Sequence, residues 1–330
     1  SEAGYKGIQK AVAGVHLTQG RAKGILFPLP PLNEQKRIVA KVDAIMPRID
    51  SAKERLEKIP AILKRFRQSV LTAAVTGKLT EKWREEHPEA ECIEVERLKN
   101  TDTESKRKQS FKKSLKSEMP LQDIPDEWFW IKLSQTGEMG RGKSRHRPRN
   151  APHLFGGIYP FIQTGDIANS NGLIKSHKQT YSEEGLQQSK LWPEKTICIT
   201  IAANIADSAI LTYPACFPDS VVGIVVNEKI CETRFLEFFI RTVRENLSFY
   251  APATAQKNIN LSILNDVLVP LPPLDEQKEI VRQVDKLFAL ADKVEEHYQK
   301  ARARVEALAQ SVLAKAFRGE LVPQDPDDEP

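Results

Sequence analysis

The stretch GEMGRGKS, Gly137 to Ser144, carries the spacing G-x-x-x-x-G-K-[ST] with which nucleotide hydrolases cradle phosphate. Such a loop needs a strand before it and a helix behind it, because the helix N-terminus helps to hold the anion. Here RHRPRNAP follows, with Pro148 and Pro152 bracketing a very polar stretch, so no regular helix is expected. Nor does an apolar strand ending in an aspartate offer a magnesium site, and the match is read as fortuitous. The same residues suit another chemistry. Arg141, Lys143, Arg145, Arg147 and Arg149 occupy every second position and, in an extended loop, project largely to one side. Guanidinium groups match phosphate oxygens and, bidentately, guanine O6 and N7. Ser144, His146 and Asn150 add hydrogen-bonding groups. The bland alternative is a solvated charged loop.

Gln163, Thr164 and Asp166 follow YPFI in a turn around Gly165; they either reach base edges or merely form the turn. Gln256, Lys257 and Asn258 occupy a polar loop with the same two readings, and Asn204, Asp207 and Ser208 are weaker candidates. No N-P-P-[YF] tetrapeptide for amino-methyl transfer, no glycine-rich dinucleotide fingerprint and no nuclease triplet accompanies them. Six histidines show no metal-ligand spacing, and four cysteines include no C-x-x-C pair. The sequence reads as non-catalytic, with no metal and no cofactor of its own. A formal charge of +5 admits an anionic partner, and the lack of a leader or long apolar run predicts a reduced cytoplasmic chain without a membrane partner.

The elements that must position these residues come from a duplication. FPLPPLNEQKRIVAKVDAIMPRID, from Phe27, reappears without a gap as VPLPPLDEQKEIVRQVDKLFALAD, from Val269, at an offset of 242. RQSVLTAAVTGKL, ending at Leu79, matches AQSVLAKAFRGEL, ending at Leu321, at the same offset. Each copy is expected to open a helix capped by Asn33 or Asp275, with Glu34 or Glu276 in the first turn. Each is expected to close at a left-handed glycine, Gly77 or Gly319. Ile38, Val42 and Ile45, matched by Ile280, Val284 and Leu287, form a first amphipathic face.

Ile49, Ala52, Leu56, Ile59, Leu63, Phe66, Val70 and Ala73 then advance by three and four, as do Ala291, Val294, Tyr298, Ala301, Val305, Leu308 and Val312. Two matched heptad seams predict a coiled coil, antiparallel by the symmetry of a duplication, with Pro60 interrupting the first helix. A seam of about 25 residues spans roughly 37 Å, close to one turn of B-DNA at about 34 Å.

Between the copies, residues 100–118 form a basic linker and 119–269 a mixed α/β domain. Within it, IPDEWFWIKL, IYPFIQTGD, TICITIA and VVGIVVN read as strands, and RFLEFFIRTVREN as a helix whose Phe235, Phe238, Phe239 and Val243 face a core. The fold class is therefore α+β, a mixed domain beside long helices. The tail, residues 323–330, is expected to be disordered and acidic.

Two copies of PLPPL[ND]EQK-x-IV, each leading to QSVL and G-x-L, flank a domain that begins IPDEW. This arrangement resembles the specificity subunit of a type I restriction-modification enzyme. The resemblance implies that residues 28–99 are the central conserved helical region, 119–269 a target-recognition domain and 270–322 the distal conserved helical region. It implies double-stranded DNA as partner, with one half of a split site read here and the half-site spacing set by the coiled coil. Methyltransferase subunits would dock on the helices and motor-nuclease subunits join them; S-adenosylmethionine, ATP and magnesium belong to those partners. Residues 1–27 resemble the tail of a first recognition domain, GVHLT at Gly14–Thr18 sitting where NINLS at Asn258–Ser262 precedes the second copy. The expectation is a C-terminal piece of a longer subunit, or else a natural half-subunit that self-dimerises. The rival to DNA recognition is a non-catalytic scaffold with only non-specific DNA affinity.

Overall fold

The computed structural model describes residues 29–89, 124–202, 207–250 and 261–328, with the side chains of 243–250 left aside. The basic linker, the segment before Leu29, Asn204 and the trio Gln256, Lys257 and Asn258 lie outside the described residues, as does the side chain of Val243. The chain divides into two compact units, residues 1–64 with 290–330, and residues 65–289.

The first unit contains helix α1, Leu32–Glu57, and the last part of the long helix α8, Leu274–Arg318. They run antiparallel. Near the start of α1, Arg37 bonds Asp328 and Glu34 Oε1 accepts from Gln324 Nε2 at 2.9 Å, both partners lying beyond the end of α8. Further along, Lys53, Leu56 and Glu57 line a cavity of about 300 Å³ with Tyr298, Arg302, Val305 and Glu306. The predicted pairing of the two copies is therefore present. Helix α1 ends at Glu57 and α2, Ile59–Val75, begins one residue before Pro60, so the proline marks a break between helices.

The seam departs from the expected register on α8. Ala291, Tyr298 and Val312 are buried and Val305 half-buried, but Val294 and Leu308 are exposed. Glu295 and Ala309, one residue further on, take their places as half-buried positions. A regular α-helix turns past a strict heptad by about 20° per repeat, which carries the contact stripe to neighbouring positions. On the other strand Ile49 and Leu63 are buried and Leu56 and Ile59 half-buried, as the spacing predicts. Phe66 and Val70 belong instead to the core of the second unit.

Two other expectations are corrected. Asn33 and Asp275 do not cap: the helices begin at Leu32 and Leu274, which places both residues inside the first turn. What recurs instead is a glutamine reaching back, Gln35 Nε2 to the Pro30 carbonyl at 2.7 Å and Gln277 Nε2 to that of Pro272 at 2.9 Å. The acidic tail is not free either, since Gln324 and Asp328 are anchored on α1. The glycines behave as expected, with φ of 78° at Gly77 and 71° at Gly319. Beyond α8 the Glu320 N–H bonds the Lys315 carbonyl at 2.9 Å, closing the helix end.

The second unit is built on a five-stranded sheet of order β2-β8-β6-β7-β4: Gly137–Arg141, Val221–Val226, Ile197–Thr200, Ser208–Leu211 and Leu173–Ile174. All neighbours are antiparallel except β4 and β7. Strands β6 and β7 are buried along their whole length, hence their unbroken runs of apolar and small residues. Two ribbons flank the sheet, β1 (Phe129–Lys132) with β9 (Leu268–Leu271) and β3 (Phe155–Phe161) with β5 (Gln179–Tyr181). The predicted helix is α6, Thr233–Tyr250, and it buries Phe235, Phe238 and Phe239 as expected, each worth about 2–3 kcal/mol. Short helices α3 (Glu81–Glu86), α4 (Thr164–Ala168), α5 (Glu183–Gln187) and α7 (Leu261–Asn265) connect these elements.

The start of α8 and the end of α2 meet in this unit. Glu276 is fully buried and accepts from Thr80 Oγ1 at 2.6 Å, Arg84 Nη1 at 2.5 Å and Trp128 Nε1 at 2.9 Å. Arg84 also donates to the Gly77 carbonyl at 2.8 Å, and Trp128 packs edge-on against Phe235. A Cβ at Gly77 would stand 2.4 Å from Pro125 Cγ, so both contact and φ demand glycine there.

A candidate DNA interface

Gly137 opens strand β2, where it pairs with Val226, and a Cβ there would stand 2.1 Å from the Val225 carbonyl oxygen. The first glycine of the phosphate-loop pattern thus serves close strand approach. No α-helix follows directly; residues 146–150 bend and turn, and only a single 3-10 turn, Pro152–Leu154, comes after them. The fortuitous match is explained.

The basic row is extended only at its start. From Arg141 to Arg145 exposed and buried residues alternate, with Lys143 and Arg145 outward and Gly142 and Ser144 inward. Lys143 N–H bonds the Phe217 carbonyl at 3.1 Å, and Ser189 Oγ donates to the Lys143 carbonyl at 2.9 Å. At His146 the chain turns, and a cis peptide joins Arg147 to Pro148.

The five cations consequently have different surroundings. Arg141 donates twice to the Asp219 carbonyl, at 3.0 and 2.6 Å, and Arg149 pairs with the Asp219 carboxylate at 2.9 Å. Arg147 folds back onto the carbonyls of Ser144 and His146. The side chains of Lys143 and Arg145 are exposed and make no hydrogen bond with a described residue. The expected single row is corrected: prolines and backbone acceptors curl its second half, and a shared aspartate gathers its two ends. Ser144 is buried and removed from any outer surface, while Asn150 remains exposed. His146 packs edge-on against His153, ring centres 4.9 Å apart, and its N–H is held by Gln188 Oε1 at 3.0 Å.

Gln163, Thr164 and Asp166 sit at the start of α4, a single helical turn where a simple turn was expected. Asp166 accepts from the Gln163 N–H at 3.0 Å, and the Gln163 side chain is exposed and donates to Gln179 Oε1 at 2.7 Å. Gln179 lies on β5, opposite Phe161, and the sequence reading missed it: sixteen residues separate the pair and only the strand register joins them. Exposed Lys175, His177 and Lys178 precede it, and Ile158 on β3 is 81% exposed. Asp207 and Ser208 are buried, Ser208 Oγ bonding Glu237 at 3.1 Å, and are withdrawn as surface candidates.

Cys198, Cys216 and Cys231 are buried, and burial raises each thiol above its ordinary value, which suppresses thiolate chemistry. Among the described residues no group of three His, Cys, Asp or Glu could hold a metal, and no helix is long and apolar enough to cross a membrane. What the surface offers is two exposed cations, Lys143 and Arg145, and an exposed amide pair, Gln163 and Gln179.

Residues 125–301 match the family model of the type I restriction modification DNA specificity domain. The chain is 34% identical over 314 residues to the type I restriction enzyme EcoDI specificity subunit of Escherichia coli, covering 94% of this chain and 65% of that protein. To the StySPI specificity subunit of Salmonella potsdam it is 34% identical over 304 residues, 91% of this chain and 58% of that one. It thus spans less than two thirds of these relatives. Among solved structures, the HsdS subunit from Thermoanaerobacter tengcongensis shares the fold with a TM-score of 0.56 at 21% identity, over 92% of this chain and 63% of that one. A chain from a structure of type I R-M complex assembly and conformational transition reaches 0.69, also at 21%, over 97% and 69%.

Proposed function

Because the chain belongs to the family of type I restriction-modification DNA specificity domains, we propose that it is a non-catalytic module that recognises duplex DNA by sequence. The observation that carries this reading is that the family match covers the exposed Lys143–Arg145 stretch and the Gln163–Gln179 pair. In this reading Lys143 and Arg145 contact phosphate, Gln163 and its neighbours address base edges, and one half of a split site is read. Arg141 and Arg149 hold the loop through Asp219. The antiparallel pair of α1 and α8 sets the distance to the other half-site and offers a surface to methyltransferase subunits. Motor-nuclease subunits complete the assembly; S-adenosylmethionine, ATP and magnesium act on those partners, in the cytoplasm.

The test is selection from a random duplex pool at fixed near-physiological salt, with the matching methyltransferase subunit present. A short enriched sequence supports the reading; no enrichment beside an active methyltransferase supports the scaffold. Lys143→Ala and Arg145→Ala should each weaken binding to all sequences alike and lower the salt slope by about one.

A further inference from the structure

The Gln163–Gln179 pair carries more than general polarity. Gln163 is fixed on both sides: Ile162 before it is fully buried and bonds the Cys216 carbonyl at 2.8 Å, and Asp166 holds its own N–H. Gln179 is fixed by β5, whose Tyr181 is fully buried and stacked on Phe161 at 4.1 Å. Two exposed carboxamides are thus held together by one hydrogen bond of 2.7 Å. Gln163 Oε1 also accepts from the Asp166 N–H at the start of α4, which fixes the carboxamide further. With two lone pairs that oxygen keeps one acceptor site, and the Gln179 NH2 group is left to donate. In the major groove adenine alone sets an acceptor, N7, beside a donor, the N6 amino group; guanine shows two acceptors, thymine an acceptor and a methyl group, cytosine a donor.

We infer that Gln163 and Gln179 together read a single adenine in the major groove, Gln179 being a specificity-determining residue. This rests on the DNA-recognition reading above. Because each amide orients the other, the two act as one reader, and loss of either forfeits the adenine preference.

The experiment is the same pool selection with the full chain and its methyltransferase subunit, comparing wild type with Gln163→Ala, Gln179→Ala and the double variant. Each single variant should reduce discrimination for adenine at the same position about tenfold. The double variant should fall no further, and the other positions should hold their preference. If wild type enriches a site and the variants enrich it unchanged, the reader is overturned while DNA recognition stands. Loss at a base other than adenine, or equal loss at every position, also overturns it. If wild type enriches nothing beside an active methyltransferase, DNA recognition itself fails and the reader with it.

Discussion

Glu34 and Glu276 occupy the same place in the two copies, yet their surroundings differ. Glu276 is sealed by a hydroxyl, a guanidinium and an indole N–H. Glu34 is 2% exposed, and its hydrogen bond is to the Gln324 amide. The apolar neighbours diverge likewise. Leu271 is 1% exposed, in the β1–β9 ribbon, whereas its counterpart Leu29 is 74% exposed; Ile280 and Val284 are fully buried, Ile38 and Val42 half-buried. The repeat therefore dictates the helix and its first turn, while the partner supplied by the rest of the chain decides how much of that turn is core. A buried carboxylate with three donors is a structural lock, because removing it leaves the buried indole N–H without an acceptor and the guanidinium without its counter-charge.

That contrast can be broken by substitution. Glu276→Ala should cost roughly 3 kcal/mol or more, read as a fall in urea midpoint; a loss no larger than that of Glu34→Ala would remove the distinction. Glu237 sharpens it from another side. Burial pushes this carboxyl up to about 7 from an ordinary 4.5, only partly offset by Arg241 and Ser208. The folded state then holds a proton that the unfolded chain releases, so this group's contribution to stability is fullest below about pH 4.5 and is lost as pH rises through 7. Glu237→Gln should flatten that decline and stabilise the chain at pH 8 by at most about 3 kcal/mol, checked by denaturation at three pH values. Glu34→Gln should cost about 1 kcal/mol. Arg37→Ala, which removes the more exposed partner of the Asp328 carboxylate, should give the smallest change, and one that salt diminishes. A larger loss than for Glu34→Gln would show that the tail, not the buried glutamate, secures that end.

Much of this architecture was legible in the chain. The ungapped repeat announced both helices and their glycine ends, and β-branched runs announced β6 and β8. Seam positions were legible only to within a residue, because heptad counting ignores the drift of a real helix away from 3.5 residues per turn. The interface was harder. An alternation of arginines says where side chains point only while the backbone stays extended, and Asp219, some seventy positions away, could not be recognised as the acceptor that gathers two of them. Gln179 was invisible for the same reason: pairing across a ribbon leaves no local pattern. Glu276 was recognisable as a first-turn acid, but its burial depends on Trp128, far off in sequence.

The exchange of ends has a topological consequence. The end of the first copy is fastened to the start of the second through Gly77, Arg84 and Glu276, and the start of the first to the end of the second through Glu34 and Gln324. Each helical segment is thus closed by its counterpart. A cut within α2 or α8 would therefore release an end of each copy at once.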